Sequence, residues 1–352
     1  MYRLGDSGPD GRNFPLTTIQ CKYTVSIQEE GIPMTTTPSP AIQTAPRPQD
    51  EAAAGFHQSW FPLALARDLG PGRPLGRDFL GTRVVLYRGA AGHAVVQGAY
   101  CPHLGADLSV GQVVDGQIRC AYHHWKFDCA GRCVDIPAGD KIPPGARIPT
   151  YPGAEAWGLI WAFNGEAPLF PVPGIPGADE SELVYESHFR GTRATDPWVA
   201  TSNGVDFQHL RTLHGLGAVD PDAVTVGDYH MDYRVGGPDF VQEGRITGVN
   251  TFSQHLYFME QDLYMLFSGA PIADGHSMGF YVFGVPTGDG DREKPTATLE
   301  SLRGFVQRLI AEDGPVLDTI RFRPRTLVAS DRHLARFLKF VREFPRAVPP
   351  DA

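Results

Sequence analysis

The 352-residue sequence has no run of 18 or more apolar residues, the length a membrane-spanning helix requires; Leu263 to Ala273 stops after eleven and already contains Ser268 and Gly269. No transmembrane segment is expected. There is no basic excess either: 31 Lys and Arg stand against 40 Asp and Glu, a formal charge of −9 with no Lys/Arg block. A chain of this balance offers no basic face to a nucleic acid, so that partner is excluded. Cysteine is scarce, five in all, and Cys101, Cys120, Cys129 and Cys133 fall inside one 33-residue stretch. That spacing argues against a disulfide framework and for a local metal or redox site in a reducing compartment. The start lacks a charged n-region, an apolar h-region and a small-residue cleavage site, and the expected location is cytoplasmic.

With 42% hydrophobic and 20% charged residues, the composition is that of a globular protein, and the length predicts two domains. Residues 1–54 show no sustained period and include the run Thr35-Thr36-Thr37-Pro38-Ser39-Pro40, so this arm is expected to be disordered, with Met34 a plausible alternative start. Residues 55–166 carry short apolar runs punctuated by Gly, such as Arg83 to Tyr87 and Gly158 to Phe163, which predict a small all-β domain. A Pro/Gly-rich linker is placed at 167–186, and residues 187–345 predict an α+β domain. There, Phe252 to Phe267 and Gly279 to Val285 read as buried strands, and Leu334 to Val341 as a last helix. Leu302, Phe305, Val306, Leu309 and Ile310 give Leu299 to Ile310 the spacing of an amphipathic helix, with a break expected at Pro315.

The strongest motif is Cys101-Pro102-His103, followed after sixteen residues by Cys120-Ala121-Tyr122-His123. Two thiolates and two imidazoles on two loops suit either a tetrahedral zinc or an iron–sulfur cluster. A second concentration of donors lies at Asn203-Gly204-Val205-Asp206-Phe207-Gln208-His209-Leu210-Arg211-Thr212-Leu213-His214-Gly215. At about 100° per residue Asp206 and His209 share a helix face, but His209 and His214 stand about 140° apart. The helix must therefore bend, widen by a π-type turn, or end near His214, where Gly215 and Gly217 would allow it. Two His and one carboxylate would make a facial triad with positions open to O2. For the third ligand, Glu312, Asp313 and Asp318 compete. On the wheel Asp313 falls within about 20° of Leu302, in the centre of the apolar stripe, with Glu312 at its edge and Asp318 opposite. A carboxylate aimed into a core is costly unless paired or bound to metal, which selects Asp313.

The segments Cys101-Pro102-His103-Leu104-Gly105-Ala106 and Cys120-Ala121-Tyr122-His123-His124-Trp125-Lys126-Phe127-Asp128 resemble the two cluster loops of Rieske proteins, and Asn203, Asp206, His209 and His214 match the Asn-x2-Asp-x2-His-x4-His iron motif of Rieske non-heme iron oxygenases. The resemblance to the catalytic (alpha) component runs from about Phe56 to Phe344. It implies a Rieske-type [2Fe–2S] cluster on Cys101, His103, Cys120 and His123, and a mononuclear Fe(II) on His209, His214 and Asp313. The implied fold is an all-β Rieske domain followed by a helix-grip α+β catalytic domain, assembled as a homotrimer. His124 departs from the family, which most often has Gly there. For Asp206 the reading is a carboxylate that accepts a hydrogen bond from the ring nitrogen of His209 not bound to iron. The resemblance extends that carboxylate to the partner subunit's His123, and a helix cap is the plainer alternative.

The chain has neither a dinucleotide fingerprint nor a flavin motif, which agrees with electrons from a separate reductase or ferredoxin. The implied activity is O2-dependent hydroxylation or oxidative demethylation of a hydrophobic aromatic or sterol-like molecule. Rivals are a ring-dihydroxylating dioxygenase, a non-enzymatic Rieske electron carrier and a zinc scaffold. The apolar segments between the second and third ligands suggest a pocket, with His255 and Tyr257 as polar handles and Phe267 in its wall.

Overall fold

In the computed structural model, residues 55–215, 224–237, 240–258, 260–287, 293–320 and 326–348 are described. The arm 1–54 with Met34, and Gly217, lie outside them. No helix among the described residues is long and apolar enough to cross a membrane. The first part is all antiparallel sheet. Thr150–Tyr151, Ala94–Gly98, Thr82–Arg88 and Leu75–Phe79 form one four-stranded sheet. Gly153–Ala156, Leu159–Phe163 and Trp60–Leu65 form a three-stranded sheet. All of Trp60–Leu65 and Leu159–Phe163 is buried, so these two strands read as unbroken apolar runs and not as an alternation. A smaller sheet, Gln112–Val114, Gln117–Arg119, Lys126–Phe127 and Cys133–Asp135, carries the second Cys/His loop between its middle strands.

The second part is a seven-stranded antiparallel sheet with the order Leu183–Arg193, His276–Pro286, Gln261–Ala273, Thr251–Phe258, Phe240–Thr247, His230–Gly237 and Thr225–Val226. Four helices accompany it: α1 (Pro197–Ser202), α2 (Phe207–Thr212), α3 (Glu293–Leu317) and α4 (Arg332–Glu343). The stretch expected as one buried strand, Phe252 to Phe267, is a hairpin turning at Glu260, which takes φ +60°. The α3 helix also runs through Pro315 to Leu317, where a break was expected. Proline so close to the C-terminus removes only the one bond its own nitrogen would have made to the Ala311 carbonyl, the Asp318 N–H still donates to Gly314, and packing of Leu299, Leu302 and Val306 on Met265 and Phe283 holds the rest.

Because side chains alternate along a strand, the sheet has two distinct faces. Leu266, Phe280 and Val282 face the first part, in one apolar cluster with Trp60, Leu63 and Trp161. Met265, Phe283 and Val285 face α3. The Pro/Gly-rich stretch is a packed strap: Phe170 and Ile175 are buried, and the indole N–H groups of Trp60 and Trp157 donate to the carbonyls of Phe170 and Pro173 at 2.8 and 3.1 Å. Its last residues, from Leu183, already belong to the first strand of the large sheet. The two ends of the described part meet where Phe56–His57 pairs with Arg346–Ala347.

Candidate functional site

The two Cys/His loops share one local geometry. The Cys101 N–H donates to the Ala106 carbonyl and the Cys120 N–H to the Trp125 carbonyl, both at 2.9 Å, so each loop closes five residues beyond its cysteine. In each, the residue four beyond the cysteine is left-handed: Gly105 at φ +76° and His124 at φ +61°. That conformation explains why glycine is the ordinary choice at position 124, and histidine is among the few other residues that tolerate it. Cys101 and Cys120 are buried, while His103 and His123 are exposed. The imidazoles lie with centroids 4.6 Å apart, and His103 stacks on Trp125 at 4.5 Å. Burial pushes the Cys101 thiol up to about 11, and the neighbouring Cys120 adds to the rise, so a metal is needed to draw out the thiolate. Cys129 and Cys133 are free thiols donating to different carbonyls, those of Gly116 and Asp135, and form no disulfide.

Among the described residues, the one group that brings three metal-ligating atoms within 4.8 Å of one another is His209, His214 and Asp313. The Cys101, His103, Cys120 and His123 donors do not converge on a single point as a tetrahedral zinc would require. A two-iron cluster, with thiolates at one end and imidazoles at the other, does not ask them to.

The His/Asp group is built by interrupting a helix. A 3-10 turn, Asn203–Val205, follows α1; Asp206 at φ −92°, ψ 80° leaves helical geometry; α2 then ends at Thr212, and Gly215 turns away at φ +64°. Of the three ways to bring His209 and His214 together, the chain uses termination. The Nδ1–H of His209 donates to the Asp206 main-chain carbonyl at 2.6 Å, and the Nδ1–H of His214 to the Glu312 carboxylate at 2.7 Å. Both rings are thereby fixed as the tautomer whose Nε2 is a lone pair. Asp313 Oδ1 lies 3.0 Å from Nε2 of His214 and 3.9 Å from Nε2 of His209. That oxygen is buried and none of its contacts has hydrogen-bond geometry. Three acceptors facing one another require a proton or a cation between them, so this donor set fits a divalent metal.

The charges agree with this arrangement. Burial pulls His209 below the ordinary imidazole range. For His214 burial also pulls down, but the negative charge of Asp313 and the hydrogen bond and charge of Glu312 together win and raise it. Burial pushes the Asp313 carboxyl up, and the stronger combination of His214, His209 and the Asn203 side chain holds it below the carboxylate range. On α3, Asp313 follows the stripe of Leu302, Val306 and Leu317, and Asp318 is taken by Arg193 at 2.6 Å.

Three expectations change. The Asp206 carboxylate does not meet the His209 ring: its Oδ1 accepts from the His209 main-chain N–H at 3.1 Å, a helix cap, and the ring is held by the carbonyl of the same residue. His255 and Tyr257 leave the candidate pocket. His255 pairs with Tyr264, whose side chain joins the cluster against the first part, and Tyr257, two residues on, shares that face. His255 donates to or accepts from Asp262 at 2.6 Å and stacks on Tyr264. Phe267 does lie on the α3 side. Glu312, weighed only as a metal ligand, instead anchors the His214 ring, a role that residue spacing could not assign. A buried polar row on the α3 side was also missed: the Gln242 amide donates to Tyr233 Oη at 3.0 Å and to Gln254 Oε1 at 2.8 Å.

Residues 59–152 match the model of the Rieske [2Fe-2S] domain. Among characterised proteins the chain is 34% identical over 185 residues to aminopyrrolnitrin oxygenase PrnD of Pseudomonas fluorescens, covering 50% of this chain and 51% of that one. It is 36% identical over 163 residues to cholesterol 7-desaturase nvd of Bombyx mori, covering 45% and 36%. The matched region thus spans about half the length of such relatives, or less. Among solved structures, Pseudomonas putida CBB5 NdmB superimposes with a TM-score of 0.68 at 21% identity, over 81% of this chain and 89% of that one. Dicamba monooxygenase bound to dicamba gives 0.64 at 23%, over 82% and 98%. The likeness in fold therefore extends well past the cluster domain, through the sheet and helices that hold the His/Asp group. Residues 59–152 of this chain are a Rieske [2Fe-2S] domain, and the fold in which it sits is the one shared by NdmB and dicamba monooxygenase.

Proposed function

We propose that this chain is the terminal oxygenase component of a Rieske oxygenase system, which uses O2 and electrons from a separate reductase or ferredoxin to hydroxylate or oxidatively demethylate a hydrophobic small molecule. The observation that carries the reading is the convergence of His209, His214 and Asp313 on the same chain as the two cluster loops. Residues 55–166 would serve the cluster and 187–345 the iron. Cys101 and Cys120 would hold one iron of the cluster, and His103 and His123 the other. A mononuclear Fe(II), when bound by His209, His214 and Asp313, would supply O2 activation. Around it, this chain's residues set the conditions. The Asp206 carbonyl and Glu312 fix the two rings, Asn203 steadies the Asp313 carboxylate, Phe252 packs on Gly204 beside it, and Met265, Phe267 and Tyr281 give the α3 face of the sheet an apolar wall.

A hydrophobic substrate is supported by that wall. The neighbours named above are described as acting on aminopyrrolnitrin, cholesterol and dicamba. The exposed imidazole end of the cluster, rimmed by the exposed Leu104 and Tyr122, supports a protein contact there. We assign it to electron transfer, within a homotrimer and from the donor protein, in a cytoplasmic setting.

The test combines iron analysis with turnover. Purified protein should be red-brown and hold three irons per chain, and a surrogate reductase should drive substrate-dependent O2 uptake with product mass raised by one oxygen or lowered by one methylene. Two irons and no uptake would make the chain a carrier, and a colourless zinc protein would remove the reading altogether.

A further inference from the structure

On the α3 side of the sheet, within reach of the charge of Asp313, lies a half-buried arginine two of whose guanidinium nitrogens are buried without a partner. Arg190 sits in the strand Leu183–Arg193 at a β-bulge: Phe189 pairs with Phe280 and Gly191 with Gly279, so Arg190 is the extra residue. Bulges re-aim side chains, and a glycine in the left-handed region eases this one. Gly191 takes φ +104°, and the Arg190 stem packs over Gly279, where a Cβ would lie 3.4 Å from it. The stem therefore lies on the face that carries Tyr281, and its guanidinium feels the charges of Arg193, Asp313 and Asp318.

Its Nε and Nη2 are both buried and have no hydrogen-bond partner. These two nitrogens form the side-on fork that matches the two oxygens of a carboxylate. The chain uses the same fork twice elsewhere: Arg245 grips Asp232 through Nε at 2.7 Å and Nη2 at 2.9 Å, and Arg303 grips Glu186 through the same pair of atoms. Arg193 is committed to the Gly314 carbonyl and Asp318. Asp313 does not satisfy Arg190, since its Oδ1 faces the imidazoles. A guanidinium with both fork donors buried and idle is costly unless an anion reaches it.

We propose that Arg190 is the substrate anchor of this site, and that the substrate class is a hydrophobic molecule bearing a carboxylate. The acid is held side-on by Nε and Nη2 while its apolar frame lies along Phe267 and Tyr281. A second anion beside Asp313 is tolerated because the cation that Asp313 would hold offsets its charge. The proposal rests on the oxygenase reading for the meaning of the site as a pocket, though the fork itself does not depend on it.

The experiment is calorimetric binding of acid and amide pairs to the full-length, metal-loaded protein: benzoate and benzamide, 2-naphthoate and 2-naphthamide, cholanate and cholanamide. The expected result is that at least one acid binds tenfold or more tightly than its amide to the wild type. In Arg190→Gln that ratio should collapse to within twofold, with iron content and cluster absorption unchanged, while Arg190→Lys should keep part of it. Equal binding of acids and amides by the wild type, or no binding by any of them, overturns the proposal, and so does a ratio that survives Arg190→Gln. If Arg190→Gln fails to fold, the wild-type ratio and Arg190→Lys decide. Three irons with no acid preference would overturn the anchor alone, and a clear preference in a protein without mononuclear iron would overturn the oxygenase reading alone.

Discussion

The cluster loops and the His/Asp group use similar donors but assemble them differently. The loops lie close together in the sequence, Cys101 to His123, and each is closed by its own N–H to carbonyl bond, so its shape is local. Its cysteines are buried and its histidines exposed, which suits a centre that must pass electrons to another protein surface. The His/Asp group joins α2 to α3 across the sheet, and its parts are partly or fully shielded, with His214 at 2% side-chain exposure. A centre that must admit a small molecule while excluding bulk water is better made this way, from elements that can hold a cavity between them. The difference teaches that disrupting one centre should leave the other standing.

The largest expected effect tests that independence. Cys101→Ser should abolish the visible absorption, since a hydroxyl is a harder and more weakly acidic ligand, while the donors of the His/Asp group stay in place. Loss of both metals in Cys101→Ser, measured by iron analysis, would show the centres to be coupled. The converse is His209→Ala or Asp313→Ala: turnover should vanish and iron fall from three to two per chain, with the absorption intact.

Smaller effects separate the ligands from the groups that aim them. Glu312→Gln leaves all three donors but weakens the grip on the His214 Nδ1–H, and iron affinity measured by chelator competition should fall about 10–100-fold. An unchanged affinity would make the Glu312 contact incidental. Asp206→Ala removes the α2 cap and should cost about 1 kcal/mol in urea unfolding, whereas Asp206→Asn, itself a good cap, should cost little. Both should retain iron, because the ring of His209 is held by the main chain. If Asp206→Asn keeps both metals yet slows cluster reoxidation in a single turnover, its carboxylate serves electron transfer in addition to the cap. The least effect is expected of Asp318→Ala, within about 0.5 kcal/mol and with full iron content, since it pairs with Arg193 at the surface.

How far the sequence could be read follows from the same contrast. Both Cys/His loops were legible because their geometry is set by neighbours in the chain. The place of Asp313 was legible only through the apolar stripe of α3, where it follows Leu302 and Val306 on the helix ahead of Pro315. His255 and Tyr257 could not be placed, since a hydrophobic run does not reveal which of its two alternating faces will meet the iron side. The hairpin turn at Glu260 and the strap over the opposite face decided that.

The sequence by itself determined the donor chemistry, the two cluster loops and the need for the helix to depart from regular geometry between His209 and His214, because residue type and short-range backbone geometry act within a few bonds. Only the tertiary structure decided that Glu312 would orient His214, that the Asp206 carbonyl and not its carboxylate would orient His209, and that a bulge would leave the Nε and Nη2 of Arg190 buried and idle. Those outcomes depend on the register between strands and on the packing of α3 across the sheet, and such long-range contacts leave no period in the sequence.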